Sequence, residues 1–189
     1  MLLDIGIGIL SGIFVSDLFQ TELTVGLILF AIVSALLPDI DTLFHLQSGR
    51  SLKNHKGHDH RDLWHYPLIY IPLGTLIVSL FSYEYALVFA VTSFLHFLHD
   101  SIGIGWGVQW LYPFSTKHFS FLYHYDVFRN KLPKSWIYSW SHQEVDELSE
   151  KYGDRDWVRN IYLRWHPYGI VEMLVFIVSV IMLYFKLGI

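Results

Sequence analysis

Six side chains have the types and spacing of metal ligands. Asp39 and Asp41 stand two residues apart in Leu-Pro-Asp-Ile-Asp, where an apolar run stops. His60 and His65 bracket His-Arg-Asp-Leu-Trp-His, where the next apolar run begins. His96 and Asp100 are four residues apart and share one face if that stretch is helical. Three imidazoles and three carboxylates form a mixed nitrogen and oxygen donor set, which suits Zn, Mn or Fe. Asp4, at the start of the first apolar run, is a seventh candidate. So many ligands exceed the four of a simple zinc site. The expectation is two divalent ions bridged by one Asp, with Zn first and Mn or Fe as alternatives. Two-metal sites acidify a water and clamp the charge that develops in hydrolysis, above all of phosphoesters. Arg61, beside His60, suits recognition of an anionic phosphate. Asp62 is a general-base candidate from its position alone.

Each of these residues has a plainer reading. An Asp after Leu-Pro is ordinarily a turn or cap residue, although here a pair of them precedes a histidine cluster. His55, His58, His118, His124, His142 and His166 lie in polar stretches and read as solvated or structural. Asp4 also fits an exposed terminal residue, and Arg61 fits an ordinary basic loop residue. His96 differs because it lies inside an apolar run with Asp100 one turn on. Ionisable groups at membrane depth are costly and are usually paired or functional.

The elements that must position these groups are apolar. Of 189 residues, 53% are hydrophobic and 16% are charged. A soluble domain carries about 25% charged residues, so the shortfall fits a chain solvated largely by lipid. There is no cysteine, which excludes disulfides, thiolate metal sites and a cysteine nucleophile. A net charge of −4 argues against nucleic acid as a partner. Spanning a bilayer takes roughly 20 predominantly apolar residues. Five runs are candidates, over residues 2–19, 23–37, 66–81, 85–98 and 168–185, the middle three near or below that limit. With Asp4 where a basic n-region would be expected, the first run reads as a retained helix rather than a secretory signal.

Basic residues orient these runs. Arg50, Lys53, Lys56 and Arg61 fall between the second and third, and a longer basic stretch lies between the fourth and fifth. This bias puts the N-terminus in the cytoplasm and the C-terminus outside. It also brings Asp4, Asp39, Asp41, His60, His65, His96 and Asp100 to the same membrane face. The sequence therefore predicts an all-α, polytopic membrane helical bundle of about five transmembrane helices, with a helical cytoplasmic segment before the last. Residues 1–115 would form a four-helix metal-site core, 116–167 a polar, partly helical segment, and 168–189 a C-terminal span. Within the polar segment, Ser141 and Glu144 have the spacing of a capping box that opens a helix, stopped at Gly153. Asp154 is placed to cap a second helix, on which Trp157, Ile161 and Trp165 would make one stripe. That stripe fits either the core of a small cap or a helix lying in the membrane interface.

Four motifs in order carry a resemblance. They are Leu-Pro-Asp-Ile-Asp over residues 37–41, His-Arg-x-x-x-His over 60–65, His-x-x-x-Asp over 96–100, and Gly-Trp-Gly-Val-Gln-Trp-Leu-Tyr-Pro-Phe-Ser over 105–115. Together they resemble a bacterial family of inner-membrane, metal-dependent hydrolases long carried as a domain of unknown function. The resemblance covers roughly residues 1–121. It implies a multi-pass inner-membrane hydrolase with metal ligation at the matching positions Asp39, Asp41, His60, His65, His96 and Asp100. Members usually carry a His ahead of the first helix, where this chain has Asp4. They also place small residues and a Thr-His-Ser where this chain has Asp62, Leu63, Trp64, His65 and Tyr66.

Three function classes follow. The first is a metal-dependent hydrolase at the cytoplasmic membrane face, acting on a small-molecule or lipid phosphoester. The second is a membrane di-iron oxidase, which would need about eight imidazoles where this chain has acidic groups as prominent as its histidines. The third is a non-catalytic metal-binding scaffold or small transporter, with a ligand sphere closed by protein groups.

Overall fold

The computed structural model describes residues 2–40, 65–103, 106–122, 135–152 and 156–188. The described elements are helices α1 (Leu2–Phe19), α2 (Val25–Leu36), α3 (Pro67–Ser79), α4 (Tyr83–Asp100), α5 (His142–Tyr152), α6 (Trp157–Tyr162) and α7 (Pro167–Leu187), with strands β1 (His118–Phe121) and β2 (Ile137–Trp140). They divide into two units. The first comprises Met1–Pro38, Ile71–His96 and Asp156–Ile189, and the second Asp39–Tyr70 and Phe97–Arg155.

In the first unit, α1 packs on α2 and α7. The apolar centre is formed by Ile9, Ile13, Val15, Leu27, Ala31 and Val88 with their neighbours. Glycine lets these helices approach closely. A Cβ on Gly8 would stand 2.7 Å from the Ile32 Cα, and one on Gly6 would stand 3.2 Å from the Phe176 Cα. Small residues therefore face two different helices from one element, as membrane helix packing favours. Thr24 caps α2, its side chain accepting from the Leu27 N–H at 3.1 Å. Pro38 lacks the N–H that would continue α2, and the chain tightens there into a 3₁₀ turn over Leu37–Asp39.

Two helices among the described residues, α1 and α7, are long and apolar enough to cross a membrane. Their 18 and 21 residues reach about 27 and 31 Å at about 1.5 Å per residue, against a hydrocarbon core of about 30 Å. Most of α7 exposes apolar side chains, Val171, Leu174, Val178, Ile181 and Phe185 among them, as a lipid-facing helix would. The sequence suggested five spans. Helices α2 and α3 have 12 and 13 residues, about 18 to 20 Å, and fall short. Helix α4 has 18 residues but carries Glu84, His96, His99 and Asp100.

The second unit contains structure that the all-α expectation lacks. Strands β1 and β2 pair antiparallel, with His118 opposite Trp140 and Phe121 opposite Ile137. Val108 adds a bridge to Phe119. Gly107 has φ +79°, and a Cβ there would lie 2.2 Å from the Phe119 carbonyl oxygen. Glycine at that position is what allows the Trp-Gly segment to lie against β1.

The Ser141–Glu144 box is formed. The Ser141 N–H donates to the Glu144 carboxylate at 2.7 Å, and the Glu144 N–H donates to the Ser141 hydroxyl at 3.3 Å. The expected Trp157, Ile161 and Trp165 stripe is not continuous. Helix α6 ends at Tyr162, and Trp165 lies beyond it with φ +54°. Pro167, at the start of α7, holds His166 in extended backbone, so no helix runs through Trp165. Gly153 and Asp154 lie outside the described residues.

Candidate metal centre

Asp39 ends the 3₁₀ turn after α2, where Pro38 has already broken regular helix. His65 lies outside regular secondary structure, two residues before α3, whose first residue is Pro67. Proline is well suited to that first helical position. His96 and Asp100 close the last turn of α4. The boundary between the two units falls between His96 and Phe97, but α4 is one unbroken helix. The step from His96 to Asp100 is therefore set by helix geometry.

His65 is buried, with both carboxylates close to its ring. Its Nε2 lies 3.7 Å from Asp39 Oδ1 and 3.5 Å from Asp100 Oδ2. These separations exceed the 2.7–3.2 Å of an N–H···O hydrogen bond. They match the spacing between neighbouring ligands of one tetrahedral ion, which at ligand distances of about 2.0–2.1 Å is about 3.4 Å. One ligand atom from each of Asp39, His65, His96 and Asp100 lies within 4.8 Å of the others, so this group could hold a metal ion. Two imidazoles and two carboxylates supply four ligands and two negative charges, which a single divalent ion neutralises. Asp100 also sits at the C-terminal end of α4, where the helix dipole disfavours a carboxylate. A bound cation would offset that cost.

The other residues singled out in the sequence fall differently. Asp4 lies in the first turn of α1 and is buried. It accepts from His96 Nδ1 at 3.1 Å. The His99 side chain is partly exposed, with its Nδ1 4.0 Å from Asp100 Oδ1. Asp41, His60, Arg61 and Asp62 lie outside the described residues.

Sequence reasoning missed the frame that holds Asp100. The next residue, Ser101, is fully buried and serves four connections. Its hydroxyl donates to the Phe97 carbonyl at 2.7 Å and accepts from the Trp110 indole at 2.8 Å. Its carbonyl accepts from the Phe121 N–H at 2.6 Å and from the Ser120 hydroxyl at 3.1 Å. The Gly-Trp motif is thus bolted to the end of α4. Phe97 packs edge-on against both His65 and Tyr70 rings, with centroids 5.7 and 5.4 Å away. Nothing in the local pattern of Ser101 marks it for this, since its partners lie up to twenty residues away.

A protein-family model described as YdjM inner membrane protein matches residues 4–187. No curated protein and no solved structure matches the chain.

Proposed function

The chain is a member of the YdjM inner membrane protein family, and on that premise we propose that it is a metal-dependent hydrolase acting on a phosphoester or lipid headgroup at the cytoplasmic membrane face. The observation that carries this reading is the convergence of Asp39, His65, His96 and Asp100. A bound divalent ion supplies an acidified water and stabilisation of developing negative charge.

The chain's own groups do the rest. His65 and His96 are buried and offer neutral nitrogen donors. Asp39 is 39% exposed, so the solvent side of the site is the side on which it stands. Substrate would approach there. Arg61 would bind the anionic group by paired N–H donors, and Asp62 would take up a proton. The four described ligands suffice for one ion, and Asp41 and His60 are the candidates to complete a second. Zn is the first choice for this donor set, with Mn and Fe next.

The test is metal analysis of the detergent-purified protein, alongside phosphodiesterase and esterase assays, for wild type, His65→Ala and Asp100→Asn. The reading expects bound ion and phosphodiesterase turnover in wild type and loss of both in the variants. Full metal occupancy in both variants defeats the site. Bound metal without turnover of any ester favours a metal-binding scaffold.

A further inference from the structure

Asp4 is a carboxylate on the first turn of an apolar helix, 1% exposed. A buried charge of this kind is costly unless it is paired and hydrogen-bonded. Its partner is His96, 92 positions away in sequence, with Oδ1 and Nδ1 3.1 Å apart. A carboxylate can only accept a hydrogen bond. The proton therefore sits on His96 Nδ1, and Nε2 carries the lone pair. An imidazole that ligates through one nitrogen commonly donates its other N–H to a carboxylate, which fixes the tautomer and raises the donor strength of the ligating atom.

We propose that Asp4 is a positioning residue of the metal centre, holding the His96 ring so that Nε2 serves as the ligand beside Asp39, His65 and Asp100. This rests on the metal reading above and changes the role of Asp4 from ligand to support. Charge balance agrees. Asp39 and Asp100 already neutralise a divalent ion, so a third carboxylate bound directly would leave an excess negative charge in a buried site. Placed behind His96, the same carboxylate strengthens a ligand. Its position in the first turn of α1, where the helix dipole favours an anion, helps to keep it ionised.

The experiment uses the full chain in detergent micelles, loaded with Co²⁺, for wild type, Asp4→Asn and Asp4→Glu. Asp4→Asn keeps the side-chain shape and removes the charge, and a thermal melt checks that each variant is folded. The proposal expects Asp4→Asn to keep the cobalt stoichiometry and ligand-field spectrum of wild type, while its Kd rises by roughly 10–100-fold. Asp4→Glu should recover part of that loss. Ring ¹⁵N NMR of the metal-free protein, with His96 assigned by its absence in His96→Gln, should show protonated Nδ1 in wild type and a mixed tautomer in Asp4→Asn.

A changed coordination spectrum or complete loss of cobalt in folded Asp4→Asn overturns the proposal, because Asp4 would then be a ligand. Unaltered Kd and tautomer also overturn it. A wild type that takes up no cobalt overturns the metal reading and this inference together, whereas a wild type that binds cobalt and is indifferent to Asp4→Asn overturns the inference alone.

Discussion

At the scale of single residues, the centre turns on His65, whose Nε2 stands between carboxylates contributed by two separate segments. Replacing His65 by Ala, or Asp100 by Asn, should lower Co²⁺ affinity by more than the roughly 10–100-fold that losing a supporting residue costs. Equilibrium dialysis would measure it. Asp17 provides the contrast. It pairs with Lys186, and both side chains are well exposed, so Asp17→Asn should change stability by less than about 1 kcal/mol. It should leave metal binding untouched, as read by a thermal melt and the same dialysis. A large metal effect from Asp17→Asn would mean that the binding assay reports general folding rather than ligation.

At the scale of elements, two contacts can be tested apart from the site. Gly8 lets α1 lie against α2, and a methyl there would meet backbone atoms rather than a movable side chain, with the Ile32 Cα at 2.7 Å. Gly8→Ala should therefore destabilise the helix pair by about 1–3 kcal/mol, the usual cost of overpacking. Chemical unfolding in mixed micelles is the measurement. The capping box on α5 has a pH signature. Hydrogen bonds from the Ser141 backbone and side chain to Glu144 hold its carboxyl below the usual carboxylate range. A group whose pKa is lowered on folding contributes stability that is full above its unfolded pKa and is lost as pH falls through the folded value. Amide protection factors at the first turn of α5, taken against the intrinsic exchange rate at each pH, should accordingly be highest near neutral pH and fall on acidification. Glu144→Gln should flatten that profile.

At the scale of the whole molecule, the chain belongs to an inner membrane protein family, and two helices among the described residues are long and apolar enough to cross a membrane. An ion that binds the folded chain and not the unfolded one stabilises it by mass action. At a free concentration 100 times its Kd, Zn²⁺ should add about 2.7 kcal/mol. Chelator should remove that increment, and the thermal midpoint in detergent should follow both changes. If chelator leaves the midpoint of zinc-loaded wild type unmoved, the bound metal is not part of the folded structure.

What was legible in the sequence was whatever depends on covalent spacing. The four-residue step from His96 to Asp100 needs only a helix. The Ser141–Glu144 box needs only two intervening residues of backbone, and Pro38 marks the end of α2 by its missing N–H. The apolar runs that became α1 and α7 were legible because a helix long and apolar enough to cross a membrane carries that character along its whole length. Tertiary structure decided what lies between distant segments. Strands β1 and β2 have four residues each, too short for alternation to identify, and they exist because each supplies the hydrogen bonds the other lacks. Trp165 shared the spacing of a stripe but not its helix, since His166 and Pro167 open α7. Asp4 had the chemistry of a ligand in the sequence, and only the packing of α1 set it against His96 Nδ1. Burial leaves a carboxylate few partners, and which one it finds is a property of the fold, not of the spacing.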